Sequence, residues 1–251
     1  MAIDERQQHY LQAMGIQTWV RREATESVSP LVVESMPASS MPVAADTVSV
    51  AVENVAVPVG DEVHHYNWDQ LKNAVRQCVA CDLHSTRNNT VFGVGNEQAD
   101  WMIIGEAPGA DEDRQGEPFV GRAGQLLNNM LLAIGLKREQ VYIANILKCR
   151  PPNNRDPRPE EVVKCEKFLE RQVALVNPKI ILAVGRIAAH NLLKTESSLS
   201  QLRGRCFYYG PQKIPVVVTY HPAYLLRSPT EKRKAWQDLL FAQTVSRGTI
   251  E

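Results

Sequence analysis

The chain has 251 residues, 44% hydrophobic and 22% charged, and its 28 Lys and Arg balance its 28 Asp and Glu. That length suits one full-sized domain with an appendage, and five Cys are too few for a disulfide scaffold. No run approaches the roughly 20 apolar residues of a membrane-spanning helix; the N-terminus, with Asp4 and Glu5 and no apolar core segment, does not read as a signal peptide, so a cytoplasmic protein with reduced thiols is expected.

In chain order, residues 1–22 hold three Arg and two acids, and YLQAMGIQTWVRR at 10–22 groups Leu11, Met14, Ile16 and Trp19. Residues 23–65 hold seven acids, no Lys or Arg, no aromatic residue and one Leu among four Pro, six Ser, six Ala and eleven Val. That composition has little to bury and predicts a disordered acidic linker. The alternation at 47–59 resembles a strand, but Pro58 and the lack of a neighbouring strand argue against an independent sheet. Residues 66–251 keep 25 of the 28 basic side chains and 19 of the 28 acids, a mildly basic body suited to a polyanion.

From residue 66 helix and strand patterns alternate. Asn67 is placed to cap a helix through 77, and DWMIIG at 100–105 reads as a buried strand. A helix over 123–135 carries Leu126, Leu127, Met130, Leu131 and Ile134 at helical spacing and stops at Gly135. A second strand follows at 141–147, a helix opened by Pro159 runs to 176, and a third strand lies at 179–185. A helix at 186–194, a fourth strand at 214–220 and a closing helix at 230–247 complete the pattern. This order predicts a three-layer α/β/α domain with a mostly parallel central sheet. Ligands of such sheets sit beyond the carboxyl ends of the strands. That rim would gather GEAPG after the first strand, Asn145 in the second and His221-Pro222 after the fourth.

Cys78 and Cys81 form a CxxC pair, and Cys149 and Cys165 can each add a thiolate; Cys206 stands apart. Four thiolates suit zinc or an iron–sulfur cluster. Cys165 also fits the apolar stripe of its helix, with Val162, Leu169, Val173 and Val176. A thioredoxin-type role is disfavoured because the CxxC pair follows a helix instead of a strand.

The segment GEAPGADEDRQGEPFVGRAGQLL at 105–127 concentrates glycines and acids around Phe119. It matches neither a Walker loop nor GxGxxG, and its acids would repel phosphate. PFVG at 118–121 instead offers an aromatic face for a flat ring.

These motifs resemble the family 4, iron–sulfur uracil-DNA glycosylases, over roughly residues 68–245. The resemblance rests on Cys78-x2-Cys81, GEAPGADED at 105–113, GEPFVGRAGQLL at 116–127, NILKCRPPNNRDPRPEE at 145–161, Cys165 and TYHPAYLLR at 219–227. It implies a 4Fe–4S cluster on Cys78, Cys81, Cys149 and Cys165, and an enzyme that flips uracil out of DNA and hydrolyses its N-glycosidic bond. Asn145 would offer one donor and one acceptor to the uracil edge, Phe119 would stack on the ring and Gly105 would line the site. Glu112 matches the position that crowds carbon 5. His221 would donate to the uracil O2 as negative charge grows there, and Glu106 would orient the attacking water. Ala107 stands where covalently capturing relatives carry Gln, so turnover is expected, and a Schiff-base lyase step is not expected. Leu225, Leu226 and Arg227 would meet the DNA, the leucines as a wedge and Arg227 near phosphate. Met14, Ile16 and Trp19 resemble the clamp-loader-binding peptide of the bacterial replicative polymerase psi subunit, implying a tether to replication machinery. The competing reading is a replication-associated binding protein whose glycosylase fold is catalytically idle.

Overall fold

The structure is a computed structural model that describes residues 61–248. Met14, Ile16 and Trp19, and nearly all of the expected linker, lie outside the described residues. A 3-10 turn, Asp61–His65, opens the described chain, and its Val63 is buried. The body therefore starts a turn ahead of residue 66.

The strands are β1 (Val94–Gly95), β2 (Trp101–Gly105), β3 (Tyr142–Asn145), β4 (Ile180–Val184), β5 (Cys206–Tyr209) and β6 (Ile214–Thr219). They form one sheet in the order β1-β3-β2-β4-β6-β5, in which β3, β2, β4 and β6 are mutually parallel and the two edges antiparallel. The four central strands fall where the apolar runs place them, with trimmed ends. The edges escape such a reading: β1 has two residues, and β5 (CFYY) is half-exposed along much of its length.

The helices are α1 (Trp68–Gln77), α2 (Ala110–Gln115), α3 (Arg122–Ala133), α4 (Pro159–Val176), α5 (Arg186–Leu193), α6 (Leu199–Leu202), α7 (Pro222–Arg227) and α8 (Lys232–Ser246). Asn67 opens α1 with a reciprocal capping box: its Oδ1 accepts from the Gln70 N–H, and Gln70 Oε1 accepts from the Asn67 N–H, both at 2.9 Å. Successive strand residues point to opposite faces, which divides the core in two. Met102, Ile104, Ala144, Ile181 and Val218 meet Leu71 of α1, Phe168 of α4 and Ala188 of α5. Ile103, Ile143, Leu182 and Val217 meet Leu127 and Met130 of α3 and Leu239 of α8. Burial on both faces is why the strands read as continuous apolar runs. Each large side chain so buried contributes about 1.5–3 kcal/mol. All four parallel strands end at one rim, where the chain can vary without disturbing this core.

Candidate active site

A cavity of about 420 Å³ opens at that rim, and Glu106, Glu112, Phe119, Asn145, His221 and Arg227 all face it. Gly105 ends β2 beside Asn145, its register partner on β3. A Cβ at position 105 would sit 2.5 Å from Asn145 Oδ1 and 2.6 Å from Phe119 Cζ, so only a glycine lets these two side chains converge.

Asn145 is 2% exposed and its Oδ1 has no hydrogen-bond partner. An orphaned buried acceptor costs roughly 1–3 kcal/mol, a cost that a ligand with an N–H donor would remove. The Asn145 backbone carbonyl is fixed from behind, accepting from Lys148 Nζ at 2.8 Å.

Phe119 is buried, yet its backbone has φ +54°, a left-handed conformation that an aromatic residue adopts only when its surroundings impose it. Its ring lies 5.6 Å from the His221 ring, tilted by 31°. Gly124 lets the loop fold so closely that a Cβ there would fall 1.7 Å from the Phe119 carbonyl oxygen.

His221 caps the N-terminus of α7, its Nδ1 accepting the Ala223 N–H at 3.1 Å. That bond leaves the proton of the neutral ring on Nε2. Burial pushes the imidazole down to about 4, helped by the Arg227 guanidinium and opposed by Glu112. The ring is therefore a neutral N–H donor at physiological pH.

Glu106 follows β2, and burial, with Asp156 adding repulsion, pushes its carboxyl up to about 7; Arg186 opposes the shift. Asp156 also faces the cavity and pairs with Arg186 at 2.7 Å. Its place at the cavity escapes a sequence reading, since DPRP looks like a turn leading from a strand into a helix. Glu112 has both carboxylate oxygens engaged by loop backbone, accepting from Gly109, Val120 and Gly121 N–H at 3.1, 3.1 and 3.2 Å. It faces the cavity while holding the Phe119 loop.

The expected wedge needs a correction at Leu225, which is 0% exposed and belongs to the core shared with α3 and α8. Its side chain is committed to packing and does not face DNA. Leu226 is half-buried, Arg227 is exposed at the cavity, and the outward apolar group on α7 is Tyr224, stacked on Tyr220 at 5.1 Å. The i to i+3 spacing of Pro222 and Leu225, both buried, is the signal that sets Leu225 inward.

Cys78, Cys81, Cys149 and Cys165 line a second, smaller cavity, with Val75 and Phe168 against them. Cys206 lies away from them, on edge strand β5. Arg87 approaches Cys149 Sγ at 3.1 Å, and the Lys148 N–H donates to Cys165 Sγ at 3.3 Å. Burial raises the Cys81 and Cys149 thiols and pushes Cys165 to about 12. Raised pKa values of this kind follow from burial in apolar surroundings, and such thiols become metal ligands only by giving up their protons to the metal. Among the described residues no three His, Cys, Asp or Glu are gathered as for a single ion. The four cysteines line one small cavity, a set of soft donors of the kind that suits zinc or an iron–sulfur group. Among the described residues no helix is long and apolar enough to cross a membrane.

Residues 92–240 match the family model described as the uracil DNA glycosylase superfamily. The chain is 50% identical to the type-4 uracil-DNA glycosylase of Archaeoglobus fulgidus over 168 residues, covering 64% of this chain and 84% of that protein. It is 46% identical to the type-4 enzyme of Thermotoga maritima, covering 63% and 82% respectively. Similarity to a type-5 uracil-DNA glycosylase of Pyrobaculum aerophilum is lower, 30% over 52% of this chain and 64% of that protein.

Proposed function

Because the chain belongs to the uracil DNA glycosylase superfamily, we propose that the rim cavity receives a uracil turned out of the DNA stack, read by Asn145 and stacked on Phe119. The protein is a uracil-DNA glycosylase, a hydrolase that removes uracil from DNA in base excision repair. The observation that carries the residue assignment is the buried, unpartnered Asn145 Oδ1 beside an aromatic ring. Uracil supplies a ring N–H for that oxygen and a carbonyl for the amide N–H₂; cytosine would oppose donor to donor and acceptor to acceptor.

Bond cleavage leaves negative charge on the uracil and positive charge on the sugar. The neutral His221 Nε2–H donates to the uracil O2 as that charge develops, an oxyanion-stabilising role worth about 2.7–4 kcal/mol in comparable sites. Glu106, once ionised, orients water for attack on C1′ and favours the oxocarbenium-like sugar. The glycosidic electron pair leaves with uracil, the water oxygen bonds to C1′, and the proton that water sheds ends on the uracil anion by way of solvent, giving an abasic site with the strand intact. Flipping costs a few kcal/mol; Tyr224 and Arg227 of α7 line the cavity and, with half-buried Leu226 between them, are the groups that meet the DNA.

Cys78, Cys81, Cys149 and Cys165 hold a 4Fe–4S cluster in this reading. When bound it supplies a cross-link between the end of α1 and the chain running from Asn145 into α4. Residues 10–22, with Met14, Ile16 and Trp19, bind the clamp loader; a peptide of that sequence should bind purified clamp loader and lose binding on Trp19→Ala, and its failure to bind would end the tether.

The catalytic reading is tested with an oligonucleotide bearing one uracil. Free uracil should appear, and the strand should break only after alkali. No uracil release would overturn the reading, and strand breakage without alkali would overturn simple hydrolysis.

A further inference from the structure

The backbone of residues 118–121 is gripped from two sides. On one side Glu112 accepts the N–H groups of Val120 and Gly121 at 3.1 and 3.2 Å. On the other, a single guanidinium takes the carbonyls: Arg138 donates to the Pro118 oxygen at 2.6 Å and to the Phe119 oxygen at 3.3 Å. The same guanidinium is oriented by Asn128, whose Oδ1 accepts at 3.2 Å. Arg138 arrives from the 3-10 turn Arg138–Gln140, well separated in sequence from the loop it holds.

The residue between these two grips is Phe119, the one aromatic residue with a left-handed backbone among the described residues. Left alone, a phenylalanine would leave φ +54° for the extended or helical region, and its ring would swing away from Asn145 and Gly105. Burial lowers the Arg138 pKa, and the charges of Glu117, Glu139 and Glu112 oppose that shift; the guanidinium stays charged. A charged donor shared by two consecutive carbonyls holds the two peptide planes flanking the Phe119 Cα in one relative orientation, as one neutral bond would not.

We propose that Arg138 is a positioning residue for excision: with Glu112 it forms a two-sided ionic clamp that holds Phe119 in its left-handed conformation and so sets the aromatic face on which the uracil stacks. Arg138 touches no substrate and acts through Phe119. The inference rests on the stacking role given to Phe119 above.

The direct readout is the ring itself. With 4-fluorophenylalanine placed at position 119, the parent protein should show one sharp ¹⁹F line; Arg138→Met should displace or split it, and Arg138→Lys, which can reach one carbonyl, should lie between. In single-turnover excision Arg138→Met should slow uracil release about tenfold or more, the scale of losing a charged hydrogen bond at each carbonyl. Its further effect in a Phe119→Ala background should be less than about twofold, since coupled residues do not add. An unchanged ¹⁹F line in Arg138→Met, an unchanged rate, or penalties that multiply in the double variant would each overturn the clamp. If Arg138→Met does not fold, Arg138→Lys carries the same test in the spectrum and the rate. A parent that releases no uracil would instead sink the catalytic reading, while the ¹⁹F spectrum still decides whether Arg138 governs Phe119.

Discussion

Gly105 and Asn145 are register partners on adjacent parallel strands, and they approach so closely that a Cβ on Gly105 would lie 2.5 Å from Asn145 Oδ1. The sheet thus delivers the reading amide and the floor beneath the aromatic ring from two neighbouring strand ends. Gly105→Ala would drive the methyl group against both Asn145 and Phe119 Cζ. Displacement of about 1 Å at reacting groups costs on the order of 100-fold in rate. We expect uracil release from Gly105→Ala to fall by about that factor while its melting temperature changes little; parent-like release would show that the two side chains move apart freely.

In the proposed site Asn145 is the residue that sets the choice of base. The parent should prefer uracil over cytosine by on the order of 10⁴, because the wrong edge leaves buried groups unpaired. Asn145→Asp replaces the amide donor with a second acceptor and should collapse that ratio, chiefly by loss of uracil excision. Paired oligonucleotides differing only in uracil or cytosine at one position measure it.

The pH profile follows from Glu106 and His221. In the proposed mechanism Glu106 must be ionised to orient water, and its carboxyl is pushed up to about 7. kcat/KM should therefore rise with pH and level off above that value. Removing the neighbouring repulsion with Asp156→Asn should move the rise to lower pH. His221, lowered to about 4, is neutral from pH 5 upward and adds no limb there. Stability runs in the opposite sense for Glu106. Its folded value lies above the unfolded value near 4.5, so its contribution is present below that pH and is lost as pH rises towards 7. Glu106→Gln should thus be inactive yet more stable than the parent at pH 8, by about 1–2 kcal/mol after allowance for solvent screening. Denaturant melts at pH 5 and pH 8 check this.

The four cysteines should act as a set. Purified anaerobically, the parent should be brown with about four iron atoms per chain. Cys149→Ser should lose iron and visible absorbance and melt at lower temperature; Cys206→Ser should keep all three properties. Iron retained by Cys149→Ser would remove Cys149 from the ligand set.

The central strands and long helices were legible because a doubly covered parallel sheet leaves unbroken apolar runs such as MII at 102–104 and IILAV at 180–184. The edge strands were not, since short half-exposed segments carry little periodic signal. The GEAPG, PFVG and His-Pro segments lead to residues that line the rim cavity because each ends a strand or opens a helix. Leu225 reads as a wedge from its motif position, but it shares the inward face of α7 with Pro222 and is committed to the core. Arg138 carries no local motif at all. Its meaning lies in two carbonyls about twenty positions upstream, a relationship that exists only once the chain is folded.

The most direct measurement is single-turnover uracil release from an oligonucleotide with one uracil, comparing the parent with Asn145→Ala and His221→Ala. Both side chains face the same cavity as Phe119, and each variant should be slower by on the order of 100-fold, the effect of removing one stabilising donor in such a site. Release at the parent's rate by both variants would contradict the account, because the unpartnered amide and the neutral imidazole would then have no part in the reaction.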